Sequence, residues 1–306
     1  MRFPTKGVST LLALLFASSC TSMCKPRETP PPVASNVTPA VRFMIGGDSR
    51  DDRAHVLPWA FREAQDRGAQ AFFFLGDMEL TPELDDHFRR ALPLLGAVAF
   101  YPVLGNHEVR VFGVASIAHD EAENAFRRRF LDTPATPVHS SIEKKVVYGV
   151  TLAGGVHLIA LDNVSQRGFG QDQLAWLQHD LETVRGDSKV RFIIVGMHKP
   201  FAHNGVVVHS MEEDGPAGIA DSEAALALLV NYKASLIVAS HVHGYAAFKT
   251  SGIPTYITGG LGAPLSHIPG VLAVHHFLQV DVAGDDLKVT LVRFDGKPSE
   301  GAEEAE

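Results

Sequence analysis

Five short apolar segments of this chain each end in polar side chains that can bind a metal ion. The segments end at Asp48, at Asp77, at Asn106 with His107, at His198, and at His241 with His243. Short apolar runs that alternate with amphipathic helical patterns are typical of buried strands in α/β folds. Because ligands in such folds gather at the carboxyl ends of the strands, we expect these side chains to lie close together.

Strand and helix patterns alternate over most of the chain. Apolar residues at helical spacing predict helices at 57–64, 84–95 and 174–184, and a further helix that begins at Asp221 or Ser222 and runs through Tyr232. Strand patterns occur at 41–45, 71–75, 100–104, 146–152, 156–161, 190–195, 236–239, 245–250, 254–258, 276–282 and 287–294. Gly154 and Gly155 between two of these predict a hairpin. The pattern therefore predicts an α/β fold of two packed mixed β-sheets with helices outside.

Composition limits the classes of function. The chain has 306 residues, 45% of them hydrophobic and 20% charged, which predicts one large core rather than disorder. The formal net charge is −8, so we expect no nucleic-acid binding. A phosphate substrate would need local positive charge, which metal ions can supply.

The N-terminus predicts export. Residues 1–19 have the pattern of a signal peptide, with Arg2 and Lys6 before the apolar run from Leu11 to Phe16. Small residues directly before Cys20 resemble the lipobox of bacterial lipoproteins, which predicts lipidation of Cys20 and a membrane-anchored protein of the periplasm or cell envelope. The alternative is ordinary signal cleavage and a soluble secreted protein.

Two further segments fall outside the predicted domain. Residues 20–40 are rich in proline, which favours an extended linker, and residues 298–306 form an acidic tail. The predicted folded domain, residues 41–297, contains no cysteine, which excludes thiolate metal sites and cysteine nucleophiles there.

The residue types at the strand ends predict a particular group of metals. Carboxylate, carboxamide and imidazole ligands suit iron, manganese, zinc or cobalt. One aspartate can offer an oxygen to each of two ions, while Asn106 adds a neutral oxygen and limits the accumulation of negative charge.

The order of the motifs resembles that of calcineurin-like metallophosphoesterases. The residues that carry the resemblance are Gly47-Asp48, Gly76-Asp77, Gly105-Asn106-His107-Glu108, His198 and His241-Val242-His243. The resemblance extends from about Val41 to Phe294, and the segments 173–177 and 259–264 also look familial. It implies a four-layer α/β/β/α sandwich and metal-dependent hydrolysis of phosphomonoesters or phosphodiesters at a site with two divalent or trivalent ions.

The resemblance also implies a role for each residue. Asp48, Asp77 and His243 would hold one ion, and Asp77, Asn106, His198 and His241 would hold the other. A hydroxide between the ions would attack phosphorus in line. His107 would protonate or stabilise the leaving oxygen, with Asn106 and Arg50 as the other predicted catalytic residues. Glu108 would orient its loop or His107.

Arg50 departs from the family pattern. The family usually has Asp-x-His in the first motif, whereas this chain has Asp48-Ser49-Arg50. Purple acid phosphatases lack that histidine too, but they use a tyrosine three residues after the second aspartate, where this chain has Leu80. Because arginine has no lone pair for a metal, Arg50 is expected either to contact the substrate phosphate or to form a salt bridge with Asp51, Asp52 or Glu79.

Several interpretations remain open at this level. An alternative reaction is cleavage of a pyrophosphate bond in a nucleotide or lipid-linked substrate, and an alternative class is a non-catalytic metal-binding lipoprotein. Substrate specificity is expected to depend on the loops 110–119 and 201–220. Seven other histidines are interpreted as surface or packing residues: His55, His87, His119, His139, His157, His179 and His209.

Overall fold

The computed structural model describes residues 40–78, 85–109, 119–133, 136, 138–143, 145–164, 168–205 and 209–296. The predicted signal peptide, Cys20, most of the linker and the acidic tail lie outside the described residues, as do Glu79 and Leu80. No helix in the described part of the chain has the length and apolar character to cross a membrane.

Eleven strands and six α-helices make up the described domain. The strands are β1 (Val41–Gly46), β2 (Ala71–Phe74), β3 (Ala99–Pro102), β4 (Tyr148–Leu152), β5 (Val156–Ala160), β6 (Phe192–Met197), β7 (Leu236–Ala239), β8 (Tyr245–Thr250), β9 (Ile253–Thr258), β10 (His276–Ala283) and β11 (Asp286–Arg293). The helices are α1 (Val56–Asp66), α2 (Asp85–Ala91), α3 (Asn106–Val109), α4 (His119–Phe130), α5 (Gln171–Gly186) and α6 (Gly215–Asn231).

The strands form two mixed sheets. One sheet has the order β11-β10-β1-β2-β3, with β1, β2 and β3 parallel and the β10–β11 hairpin antiparallel at the edge. The other has the order β4-β5-β6-β7-β9-β8, with β5, β6, β7 and β9 parallel and antiparallel strands at both edges. The parallel strands are central in the second sheet and run from the middle of the first sheet to its β3 edge. Parallel strands of this kind are usually covered on both faces, which favours apolar runs.

The two sheets pack face to face. Phe73 of β2 lies so close to β6 that a Cβ atom on Gly196 would come within 2.3 Å of the Phe73 ring. The shared core continues to the outer face of the first sheet, where Phe61 of α1 makes edge contacts with Phe72 and Phe88. A second core of leucines and isoleucines lies between the other sheet and the helices α5 and α6. The predicted α/β fold of two mixed sheets flanked by helices is confirmed.

Helices α6 and α4 differ most from the sequence-based expectation. Helix α6 begins at Gly215, six or seven residues before the predicted start, because a 3-10 turn at Met211–Asp214 leads into it and Pro216 occupies the first turn. Helix α4 was not predicted from the sequence. Its mean hydropathy is low, and the buried Phe126 and Phe130, one helical turn apart, are the only large apolar side chains of this helix.

Candidate metal centre

The candidate ligands lie where the carboxyl ends of parallel strands from both sheets meet. Asp48, Asp77 and Asn106 follow β1, β2 and β3 of one sheet, and His198 and His241 follow β6 and β7 of the other. Hydrogen bonds join these loops: the backbone N–H of His241 donates to Asp48 Oδ2 at 2.8 Å, and the backbone N–H of His107 donates to Asp77 Oδ1 at 2.9 Å. The ends of both sheets therefore form one connected site.

Three of the candidate ligands have a left-handed backbone. The φ angles are 60° at Asp48, 58° at Asp77 and 67° at His241. Non-glycine residues rarely adopt this conformation, and it costs about 1–3 kcal/mol where the surrounding structure imposes it. The backbone is also closely packed at Gly105, where a Cβ atom would come within 2.1 Å of the Asp77 nitrogen. The backbone at the site is thus shaped to bring the side chains together.

One group of donor atoms surrounds the His198 ring. Its Nε2 atom lies 2.9 Å from Asn106 Oδ1, 3.3 Å from Asp77 Oδ1 and 3.1 Å from His241 Nδ1. Two imidazole nitrogens, a carboxylate oxygen and a carboxamide oxygen form a donor set suited to zinc, iron or manganese. These are the four residues that the resemblance assigned to the second ion.

A second group shares Asp77 with the first. Ligand atoms of Asp48, Asp77 and His243 all lie within 4.8 Å of one another, and His243 Nε2 is 3.5 Å from Asp48 Oδ1. Asp48 is fully buried, and its Oδ1 atom accepts no hydrogen bond from the described residues. A buried carboxylate oxygen without a donor is costly unless a cation neutralises it. The residues therefore fit a metal ion here, with Asp77 between the two positions.

Backbone carbonyls orient two of the imidazoles. The Nδ1 atom of His198 lies 2.9 Å from the Leu75 carbonyl, and that of His243 lies 2.8 Å from the Pro264 carbonyl. A carbonyl can only accept, so each ring carries its proton on Nδ1 and presents the lone pair of Nε2 to the site. The segment 259–264, which looked familial in the sequence, supplies the carbonyl behind His243.

Burial sets the electrostatics of the site. Burial and the neighbouring Asp48 charge raise the pKa of Asp77 to about 6, and burial lowers the pKa of His198 to about 3. Burial opposes ionisation of Asp48 as well, but the neighbouring His243 side chain lowers the pKa of Asp48. Two crowded, buried carboxylates form a site that divalent cations would stabilise.

Glu108 holds the two loops that carry Asp77 and Asn106. Its carboxylate accepts from the backbone N–H groups of Asp77 at 3.0 Å, Met78 at 2.6 Å and Gly105 at 2.6 Å. Burial and the Asp77 charge raise the pKa of Glu108 to about 8, while the three backbone donors favour its ionised form. Glu108 was expected to orient either its loop or His107, and these hydrogen bonds to the loop backbone support orientation of the loop.

His107 and Arg50 lie beside the candidate ligands. His107 Nε2 is 3.8 Å from Asp77 Oδ2, and the pKa of His107 is lowered by burial first, with the Arg50 charge contributing in the same direction. The carboxylates proposed as partners of Arg50 have other contacts: Asp51 pairs with Arg53, and Asp52 accepts from the first N–H groups of α1. The charge of Arg50 thus acts on the His107 ring.

One cluster at the site was missed by the sequence analysis. His209 was interpreted as a surface or packing residue; it is exposed, and its Nδ1 atom lies 2.7 Å from Glu213 Oε1. The other oxygen of Glu213 lies 3.4 Å from His241 Nε2. The hydrogen bond from His241 lowers the pKa of Glu213 to about 2. The sequence offered one signal for this cluster: His209 and Glu213 are four residues apart, a spacing that brings side chains together on a helical turn, and they follow His198 closely.

Curated relatives of this chain include plant purple acid phosphatases. It is 29% identical to purple acid phosphatase 22 of Arabidopsis thaliana over 214 residues, which cover 68% of this chain and 45% of the relative. It is 26% identical to Fe(3+)-Zn(2+) purple acid phosphatase 12 of the same plant over 247 residues, or 77% of this chain and 49% of the relative. The chain thus spans about half the length of these relatives.

Solved structures share the fold at lower identity. A purple acid phosphatase from yellow lupin (Lupinus luteus) aligns with a TM-score of 0.63 at 16% identity, over 84% of this chain and 52% of the lupin chain. A dimetal phosphatase from Danio rerio aligns with a TM-score of 0.57 at 17% identity, over 83% of this chain and 96% of that chain. The family model for calcineurin-like phosphoesterases matches residues 41–245, which include Asp48, Asp77, Asn106, His198, His241 and His243. The chain therefore belongs to the calcineurin-like phosphoesterase family.

Proposed function

We propose that the protein is a hydrolase of phosphomonoesters or phosphodiesters that depends on two metal ions. The observation that carries this proposal is the pair of donor groups that share Asp77, one with Asp48 and His243 and the other with His198 and His241. Curated relatives named as phosphatases support the same reaction class. Bound ions supply Lewis acidity, since they polarise a phosphoryl oxygen and lower the pKa of water.

The protein groups around the ions would bind the ester and handle its leaving group. His107 is mostly buried beside Asp77, and its side chain is 8% exposed, so a proton on its ring is shielded from bulk water. We assign it the transfer of that proton to the leaving oxygen. Arg50 carries a permanent charge and a planar fork of donors, which suits a contact with two phosphate oxygens. Asn106 would bind an ion and hold the loop that presents His107.

Metal removal and restoration test the proposal. Protein stripped by a chelator should lose hydrolysis of chromogenic phosphate monoesters and diesters, and manganese, iron, cobalt or zinc should restore part of it. Asp77→Asn should lose both ions and the activity, because Asp77 belongs to both donor groups. Asp172→Asn, an exposed carboxylate in α5, is the matched control and should change neither metal content nor rate.

The outcomes separate the alternatives. Full activity in metal-free protein would contradict the mechanism. If the protein hydrolyses pyrophosphate bonds but not phosphomonoesters or phosphodiesters, the alternative substrate class is favoured. Two bound ions without turnover of any phosphate compound would favour a non-catalytic metal-binding protein, and Arg50 in place of the usual histidine is the feature consistent with that result.

We also propose that the protein is exported and anchored by a lipid on Cys20. The support is the apolar run with small residues before Cys20 in the sequence. Cys20→Ser should release the protein from membranes or block its maturation. Equal membrane association and normal processing of this variant would rule out lipidation at Cys20.

A further inference from the structure

His241 presents its two ring nitrogens to different partners. Nδ1 lies 3.1 Å from His198 Nε2 and faces the donor atoms of the second ion, whereas Nε2 lies 3.4 Å from Glu213 Oε2. This orientation is the reverse of that in His198 and His243, whose Nδ1 atoms face carbonyls. His241 can therefore bind the ion through Nδ1 only if Nε2 carries the proton.

The group behind His241 also differs chemically from those behind the other two rings. His198 and His243 are backed by neutral carbonyls of Leu75 and Pro264, whereas His241 is backed by a carboxylate. An ionised carboxylate accepts a stronger hydrogen bond than a carbonyl and makes the imidazole a more basic ligand. Of the three candidate ligand rings, His241 is the one whose backing group is an ionisable side chain.

Glu213 is held in place by its surroundings. Its other oxygen lies 2.7 Å from His209 Nδ1, and its backbone N–H donates to the Ser210 carbonyl at 3.1 Å. The next residue, Asp214, forms a buried ion pair of 2.7 Å with Lys199, the residue that directly follows His198. The 3-10 turn at Met211–Asp214 is thus tied to the end of β6, the strand that precedes His198.

A third metal ion does not explain this cluster as well. His209, Glu213 and His241 offer ligand atoms within 4.8 Å of one another. However, ligand atoms about 2.0–2.1 Å from a tetrahedral zinc ion lie about 3.3 Å apart, and the contact of 2.7 Å between His209 and Glu213 is a hydrogen bond. A third ion would also require His241 to lose the proton on Nε2 while Nδ1 binds the second ion.

We propose that Glu213 is a positioning residue for the second metal ion. The Glu213 carboxylate accepts a hydrogen bond from the Nε2–H group of His241 and so directs Nδ1 to the ion. This inference rests on the proposed function, since it assigns His241 to a metal ion. His209 orients Glu213 from the other side. The 3-10 turn at Met211–Asp214 is thereby connected to the metal centre through the side chain of Glu213.

Titration of metal-free protein with Co²⁺ tests the inference, with Glu213→Ala and Glu213→Gln as variants. Loss of an outer hydrogen-bond partner of a ligand typically weakens metal binding by about 10–100-fold, so Glu213→Ala should weaken the second ion to this extent and leave the first within about twofold. Glu213→Gln keeps an acceptor oxygen but lacks the charge, and should fall between wild type and Glu213→Ala. Visible absorption bands of the second Co²⁺ should shift in both variants, which a purely structural role would not cause.

Glu212→Gln is the matched control. It removes a charge from the same turn, but Glu212 pairs with His203 on an exposed loop, so metal binding and the Co²⁺ spectrum should stay unchanged. Glu213 is partly exposed, and the isosteric glutamine variant carries the test if the alanine variant does not fold.

Three results would overturn the inference: unchanged affinity and spectrum in Glu213→Ala, equal effects of Glu212→Gln, or three ions bound per wild-type chain. Failure of the proposed function is recognised separately. A chain that binds two Co²⁺ ions and hydrolyses no phosphate compound refutes the function and leaves the role of Glu213 standing. A chain that binds no Co²⁺ refutes both.

Discussion

Replacement of Glu108 tests whether the site is held together by one buried carboxylate. Glu108→Ala removes the acceptor for the backbone N–H groups of Asp77, Met78 and Gly105. Each buried donor left without a partner costs about 1–3 kcal/mol. If water enters the space and satisfies part of this loss, we expect the free energy of unfolding to fall by about 3–6 kcal/mol. That is a large fraction of the stability of a typical domain, about 5–15 kcal/mol.

Glu108→Gln gives a graded version of the same test. Glu108 Oε2 accepts from Asp77 and Gly105, and Oε1 accepts from Met78. A carboxamide can keep its oxygen on the first pair, but its NH₂ group then faces the Met78 N–H, and one donor stays unsatisfied. The expected loss is about 1–3 kcal/mol. Both variants should also weaken metal binding, because the loops that carry Asp77 and Asn106 lose their shared acceptor.

Urea denaturation followed by circular dichroism measures these losses in metal-free protein. Glu63→Gln is the control, since Glu63 forms a surface pair with Arg67 one helical turn away. Such pairs contribute about 0.3–0.5 kcal/mol, so this variant should be nearly neutral. A Glu108→Ala protein within about 0.5 kcal/mol of wild type would refute the reasoning about unsatisfied donors.

Three further predictions concern separate groups. His107→Ala should slow turnover by about 100-fold or more with normal metal content, and less for esters with good leaving groups; loss of metal would instead make His107 a ligand. Arg50→Ala should weaken inhibition by inorganic phosphate without loss of metal, while Arg50→His should tighten the first ion; unchanged phosphate inhibition would refute the contact. Burial lowers the pKa of His276 to about 4, below its value of about 6.5 in the unfolded chain. The unfolded state therefore binds more protons between these values, and the free energy of unfolding should fall by up to about 3 kcal/mol as the pH falls from about 6.5 to about 4. His276→Asn should remove this pH-dependent contribution. An unchanged pH profile of unfolding in the variant would contradict the prediction.

The positions of the candidate ligands were predictable because they depend on strand order and chain direction. Asp48, Asp77, Asn106, His198 and His241 each follow a buried apolar run. Parallel strands place such positions at one edge of a sheet, so apolar periodicity and the following polar residue are sufficient evidence. The sequence does not show how the two sheets meet, but the resemblance to a known family supplied that part.

The helix boundaries show where such reasoning fails. The early start of α6 depends on Ser210, which accepts from the Glu212 N–H, and on the left-handed Gly215, with a φ of 72°. Both are local backbone features that hydrophobic spacing does not report. Helix α4 was missed because its burial depends on distant segments. Phe130 contacts Phe88 and Phe100, and Phe126 packs against Phe130.

The orientation of the ligand rings could not be predicted from the sequence either. Carbonyls of Leu75 and Pro264 orient His198 and His243, and any residue type at those two positions would supply the same carbonyl. Substitution cannot readily adjust these two hydrogen bonds. The contact behind His241 is different, because its acceptor is the side chain of Glu213. If Glu213 acts as proposed, the second ion has a ligand ring whose backing group a single substitution can change.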